Sequence, residues 1–219
     1  SSAASDVYKR QTYTQTITVV DTTAPNVETL DISVELDENG VANITVDDIN
    51  NGSTDNCDSE ISLSVDISSF DCSNVGDNVV TLTATDVNGN TSSSTAIVTV
   101  SETTAPIAIT QDLVLSLDEN GQASITADDI NNGSTDNCSI DSITIDNDTF
   151  DCSNIGDNVV TMTVTDTSGN ESTAISVITI QDISAPVIVT QDITVNLDAN
   201  GEAIISIFDI DAGITDNCS

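Results

Sequence analysis

FDCSNVGDNVVTLTATDVNGN, residues 70–90, returns as FDCSNIGDNVVTMTVTDTSGN at residues 150–170. Val80, Leu82 and Ala84 alternate with polar residues, the period of a strand that buries one face. DVNGN follows with the Asn-Gly pair of a hairpin turn, and Ala96, Val98 and Val100 then resume the alternation. Upstream, Ile32, Val34 and Leu36 share one face and are followed by the turn DENG. Ala42, Ile44 and Val46 come next, then the long loop DDINNGSTDNC, then Ile61, Leu63 and Val65. Short period-2 segments joined by Gly/Asn turns predict an all-β chain of small sandwiches. Phe70 and Phe150 are expected to fill their cores.

The repetition extends well beyond the quoted stretch. Pro25, Pro106 and Pro186 are 81 and 80 residues apart, and Cys57, Cys138 and Cys218 keep the same two spacings. The chain therefore reads as tandem immunoglobulin-like β-sandwich repeats of about 80 residues. Residues 22–101 are a first repeat, 102–181 a second, and 182–219 the first part of a third. TQTITVVDTTAP matches TAIVTVSETTAP, so residues 12–21 read as the last strand of a preceding repeat. That register stops where DVYKRQ ends. DVYKRQ resembles the translation of a sequencing adapter, and residues 1–11 are set aside as an artefact, which makes the chain a fragment.

Lys9 and Arg10 lie in that leader and are the whole basic content, against 37 acids and a formal net charge of −35. Such a balance excludes nucleic acid as a partner, because phosphate binding needs clustered Lys and Arg. It disfavours anionic membrane surfaces for the same reason, and no run is apolar enough for a membrane span. With no His, and no Lys beyond residue 9, nucleophile–base pairs cannot be assembled, so no enzyme is expected and no catalytic residue is assigned.

Cys57 with Cys72, and Cys138 with Cys152, read as a staple within each repeat. Closing a loop of this length is worth about 3 kcal/mol in the chain-entropy model. Cys218 would then pair beyond the C-terminus, which accounts for an odd total of five. Zinc is the competing reading, but there is no His and no Cys-x-x-Cys. Disulfides place the chain in an oxidising, extracellular or outer-surface compartment.

DTTAP, LDENG, STDNC and FDCSNVGDNVVTLTATDVNGN resemble the hyaline-repeat (HYR-like) immunoglobulin-fold domains, above all those in tandem in secreted and surface proteins of marine Bacteroidetes. The resemblance runs from Thr12 onward. It implies non-enzymatic spacer or adhesive modules, exported and held at the outer surface. Many such repeats carry a second cysteine pair, for which this chain has Thr29 with Ser94 and Thr110 with Ala174. One disulfide per repeat is the resulting expectation.

In an immunoglobulin-type sandwich the B–C and F–G loops lie at the end where the chain enters. That would gather DDINNGSTDNC and DVNGN beside the incoming DTTAP. Asp21, Asp48, Asp55, Asn56, Asp86 and Asn88 are the candidate ligands of a metal in the first repeat. Glu102, Asp129, Asp136, Asn137, Asp166 and Asn170 are their counterparts in the second. Hard oxygen donors suit calcium, and no EF-hand loop is present. The bland alternative is that these Asp and Asn cap turns. DTT at Asp21 and DSI at Asp141 also match an O-glycan acceptor pattern, one that arises readily by chance here.

The expected function is a structural or adhesive stalk segment of a large extracellular or cell-surface protein, with calcium stiffening its repeat junctions. Its partners would be neighbouring repeats in the same chain, surface glycans or other cells. The alternative is a carbohydrate-binding or partner-binding accessory module of a secreted enzyme or adhesin.

Overall fold

The structure is a computed structural model describing residues 13–57 and 59–218. The adapter-like DVYKRQ lies outside the described residues. The chain divides into two compact units, Ser1–Val34 with Ala42–Val100, and Glu35–Val41 with Ser101–Ser219.

The first sandwich is made of β1 (Ile32–Glu35), β2 (Val41–Asn43), α1 (Val46–Ile49), β3 (Ser62–Val65), β4 (Ser69–Asp71), β5 (Gly76–Thr85) and β6 (Thr91–Ser101). One sheet has the order β1-β6-β5-β3, and β2 pairs with β4 in a second sheet. β5 and β6 run antiparallel from Gly76 opposite Val100 to Thr85 opposite Thr91. Val80, Leu82, Ala84, Ala96, Val98 and Val100 are all buried, as their alternation predicts, and Phe70 is buried among the core residues. Each pleat sends alternate side chains to opposite faces, so one apolar set is enough to bury a face.

Val46 departs from the alternation of Ala42 and Ile44 and opens the short helix α1 instead. Asp48 Oδ2 accepts from Thr45 N at 2.6 Å and from Thr45 Oγ1 at 2.7 Å, the reciprocal cap that starts a helix. The turn so formed buries Ile49.

The knuckle in the quoted stretch is held by one side chain. Asn78 Nδ2 donates to the carbonyls of Asn74 at 2.7 Å, Gly76 at 3.0 Å and Val98 at 3.5 Å. Asn158 repeats this on Asn154, Gly156 and Ile178 at 2.7, 3.1 and 3.3 Å.

The second unit holds β7 (Leu113–Ser116), β8 (Gln122–Ser124), α2 (Ala127–Ile130), β9 (Ile140–Ile145), β10 (Thr149–Asp151), β11 (Gly156–Asp166) and β12 (Glu171–Gln181). The order β7-β12-β11-β9 and the pair β8–β10 repeat the first arrangement. β7 runs parallel to β12, while β11 is antiparallel to both β12 and β9. The core is Leu117, Ile125, Ile130, Phe150, Val160, Met162, Val164, Ile178 and Ile180. Each arrangement is an all-β, immunoglobulin-like sandwich. The third copy follows with β13 (Val187–Thr190), α3 (Ile207–Ile210) and β14 (Asp211–Thr215), and β13 pairs antiparallel with β14.

The disulfides correct the within-repeat staple. Cys152 bonds Cys218, 66 residues on, and not Cys138. Ile140 lies opposite Asp166 at one end of β11, and Cys152 precedes Gly156 at the other end. Ten residues of strand separate those ends by about 33 Å, against a Cα separation below about 7 Å for a disulfide. Cys57 and Cys72 likewise flank opposite ends of β5. Cys72 and Cys138 are both disulfide-bonded. Cys57 is exposed, and its Sγ accepts from Asn56 Nδ2 at 3.3 Å. Cys218 therefore needs no partner beyond the C-terminus, since its mate lies in the second repeat. The two positions suggested for a second cysteine pair do touch in the first repeat: Thr29 Oγ1 and Ser94 Oγ are 3.2 Å apart.

Candidate cation site

β5 ends at Thr85 and delivers Asp86 to the end of the sandwich where the chain enters. Asp21 arrives there on the incoming segment and Asp55 on the loop before Cys57. One carboxylate oxygen from each of these three residues lies within 4.8 Å of the others. Asp86 is only 6% exposed.

The turn after β5 is built on Asp86. Its Oδ1 accepts from Asn88 N at 2.9 Å and Asn90 N at 2.7 Å, and its Oδ2 from Asn90 Nδ2 at 2.6 Å. Burial opposes the charge, but these donors from Asn90, Asn88 and Gly89 outweigh it and hold the carboxyl below its ordinary value. Asn90 Nδ2 also donates to the Asp21 carbonyl at 3.2 Å, which ties the incoming segment to the turn. Asp21 Oδ1 accepts from Thr23 N at 2.9 Å, while its Oδ2 is buried with no hydrogen-bond partner. Asp55 Oδ1 accepts from Cys57 N at 2.9 Å.

In the second unit Glu102, Asp136, Asp166 and Asn170 are the counterparts by sequence; Asn170 links Glu102 and Asp166, but the three acids do not converge as Asp21, Asp55 and Asp86 do. Glu102 is 6% and Asp166 2% exposed. Asn170 Nδ2 donates to Asp166 Oδ2 at 2.8 Å and to Glu102 Oε2 at 2.9 Å, so a single amide serves two buried carboxylates. Burial again opposes the Asp166 charge, yet Asn170, Ser168 and the Glu102 carboxyl bring its pKa below the usual range. Asp136 Oδ2 accepts from Cys138 N at 2.9 Å, and Asp136 Oδ1 is buried with no hydrogen-bond partner.

Other expected ligands are placed elsewhere. Asp48 and Asp129 cap α1 and α2, where their oxygens are held by Thr45 and Thr126. The Asn137 side chain donates to the Asp37 carbonyl at 3.0 Å, and the Asn56 side chain to Cys57. Asn88 serves Asp86 through its backbone. In the first repeat the sequence reading missed Asn90. Aligning DVNGN with DTSGN sets Asn90 on Asn170, and that register was the available signal.

Three carboxylates, a buried orphan oxygen and no Lys, Arg or His after residue 10 form a hard, anionic donor set. Ca²⁺ takes six to eight such oxygens, and loop carbonyls and water can complete the shell. Asp21, Asp55 and Asp86 fit that ion.

No protein-family model matches the chain, and no curated protein sequence matches it. Solved structures similar to it include protocadherin gammaB7 EC3-6, at 18% identity over 84% of this chain and 56% of that one, TM-score 0.37. Drosophila N-cadherin EC1-4 is similar at 14% identity over 73% of this chain and 50% of that one, TM-score 0.39. Titin domains I67–I69 are similar at 12% identity over 72% of this chain and 65% of that one, TM-score 0.40. The chain thus spans one half to two thirds of the length of each. No helix among the described residues is long and apolar enough to cross a membrane.

Proposed function

We propose that the chain is a non-enzymatic stalk segment of an extracellular or surface-displayed protein, built from hyaline-repeat-like sandwiches that calcium stiffens where each is entered. The observation that carries this reading is the convergence of Asp21, Asp55 and Asp86 on one point, with no basic residue among the described residues. Like charges held this close repel strongly in a partly buried setting. A divalent ion offsets that repulsion and joins the incoming segment to two loops of the sandwich. The disulfides support an oxidising compartment. The repetition of one sandwich along the chain suits a spacer, which gains reach by adding copies.

The test is thermal unfolding of the full chain in Ca²⁺, in Mg²⁺ and in chelator at matched ionic strength. Ca²⁺ is expected to raise Tm well beyond Mg²⁺, since a ligand that binds only the folded state stabilises it by mass action. Asn90→Ala is expected to shrink that gain, because it unties Asp86 from the incoming segment. Equal melts in Ca²⁺ and Mg²⁺ would overturn the reading and leave the acids as a solvated surface.

A further inference from the structure

The Cys152–Cys218 bond joins the segment between β10 and β11 of the second repeat to the first long loop of the third copy, so it links two repeats and does not close a loop within one sandwich. Between the two cysteines lie β11 and β12, the central strands of their sheet, then the segment 182–186 and the described strands of the third copy. We propose that this disulfide is a bypass for mechanical load. Tension applied at the chain ends passes from Cys152 to Cys218 through the sulfurs, and residues 153–217 carry none of it. The longest strand pair of the second sandwich, β11 with β12, is thereby removed from the force path.

The surroundings of the bond form a built joint. Both cysteines pack against the second hydrophobic core. The Asn217 side chain donates to the Asp118 carbonyl at 2.9 Å, and its own carbonyl lies 3.3 Å from Cys152 Sγ. Gly121 closes the turn between β7 and β8 at φ +73°, and a Cβ there would meet Cys152 Sγ at 2.7 Å and the Asn217 carbonyl at 3.0 Å. Glycine at this position thus meets two needs, the left-handed turn and the close approach of the disulfide. The same Asn-to-turn contact recurs where Asn137 donates to the Asp37 carbonyl at 3.0 Å.

The use of such a bypass rests on the stalk reading, since a chain that bears no load gains nothing from it. The force path itself is a property of the chain and is tested separately from calcium. The full chain, tethered at its two ends, is stretched to its limit under oxidising conditions and compared with the Cys152→Ser/Cys218→Ser double variant. The variant is expected to extend farther by about 230 Å, the 66 residue steps from Cys152 to Cys218 at about 3.5 Å each. Extension at that limit does not depend on whether the variant folds. Equal limiting lengths would overturn the proposal, whereas a calcium-insensitive melt would overturn the stalk's proposed stiffening and leave the bypass standing.

Discussion

Asp37 shows how this chain uses its acids. Its Oδ1 accepts from Asn39 N at 2.9 Å and Val41 N at 3.0 Å, and so fixes the DENG turn. Asp118 does the same for Asn120 and Gln122 at 2.8 and 2.9 Å. Backbone donors from Val41 and Asn39 hold the Asp37 carboxyl below its ordinary value, and Gln122 and Asn120 do so for Asp118. Asp71 and Asp151 are lowered by Ser73 and Ser153, and Asp48 and Asp129 by Thr45 and Thr126. A carboxyl whose folded pKa is depressed adds stability above its unfolded pKa and loses it as pH falls through the folded value. Tm is therefore expected to stay level from neutral pH down to about 5 and to fall steeply below about 4. Thermal melts across that range check this, and a Tm unchanged down to pH 2 would contradict it.

At the scale of elements, β5, β6, β11 and β12 were legible because a half-buried strand needs only period 2, and Val80, Leu82 and Ala84 supply it. α1 was not, since Val46 continues the alternation of Ala42 and Ile44 until the cap between Thr45 and Asp48 turns the chain. The knuckle before β5 depends on a contact that no periodicity reveals. Asn78→Ala would leave the carbonyls of Asn74, Gly76 and Val98 without their side-chain donor. Each partly buried group left unsatisfied costs about 1–3 kcal/mol, so a loss of about 2 kcal/mol in urea unfolding is expected at unchanged m-value. Asn158→Ala is the matching change in the second repeat, and its loss should be similar.

Across the whole molecule the dominant quantity is a net charge of −35 with its two basic residues side by side. Charges of one sign repel through solvent over about a Debye length, roughly 30 Å at 0.01 M salt and 8 Å at 0.15 M. Tm is expected to rise as NaCl increases between those concentrations, in chelator, through screening alone. Differential scanning calorimetry separates this smooth rise from the saturable gain expected of calcium. A Tm indifferent to NaCl would mean that the acids are already neutralised in the folded chain.

The sequence by itself determined the sandwich, the repeat length and the residues that could meet at a cation site, because these follow from alternation, turn chemistry and charge. It offered Asp21, Asp55 and Asp86 among the candidates of the first repeat, and Glu102, Asp136 and Asp166 among those of the second. Tertiary structure alone decided which of the candidates converge, since Asp48 and Asp129 were claimed by helix caps and Asn90 took the bridging role. It also decided the pairing of the cysteines. Spacing favoured the nearer partner along the chain, but a fully extended strand carries Cys138 and Cys152 to opposite ends of a sandwich, and bonding follows distance in space.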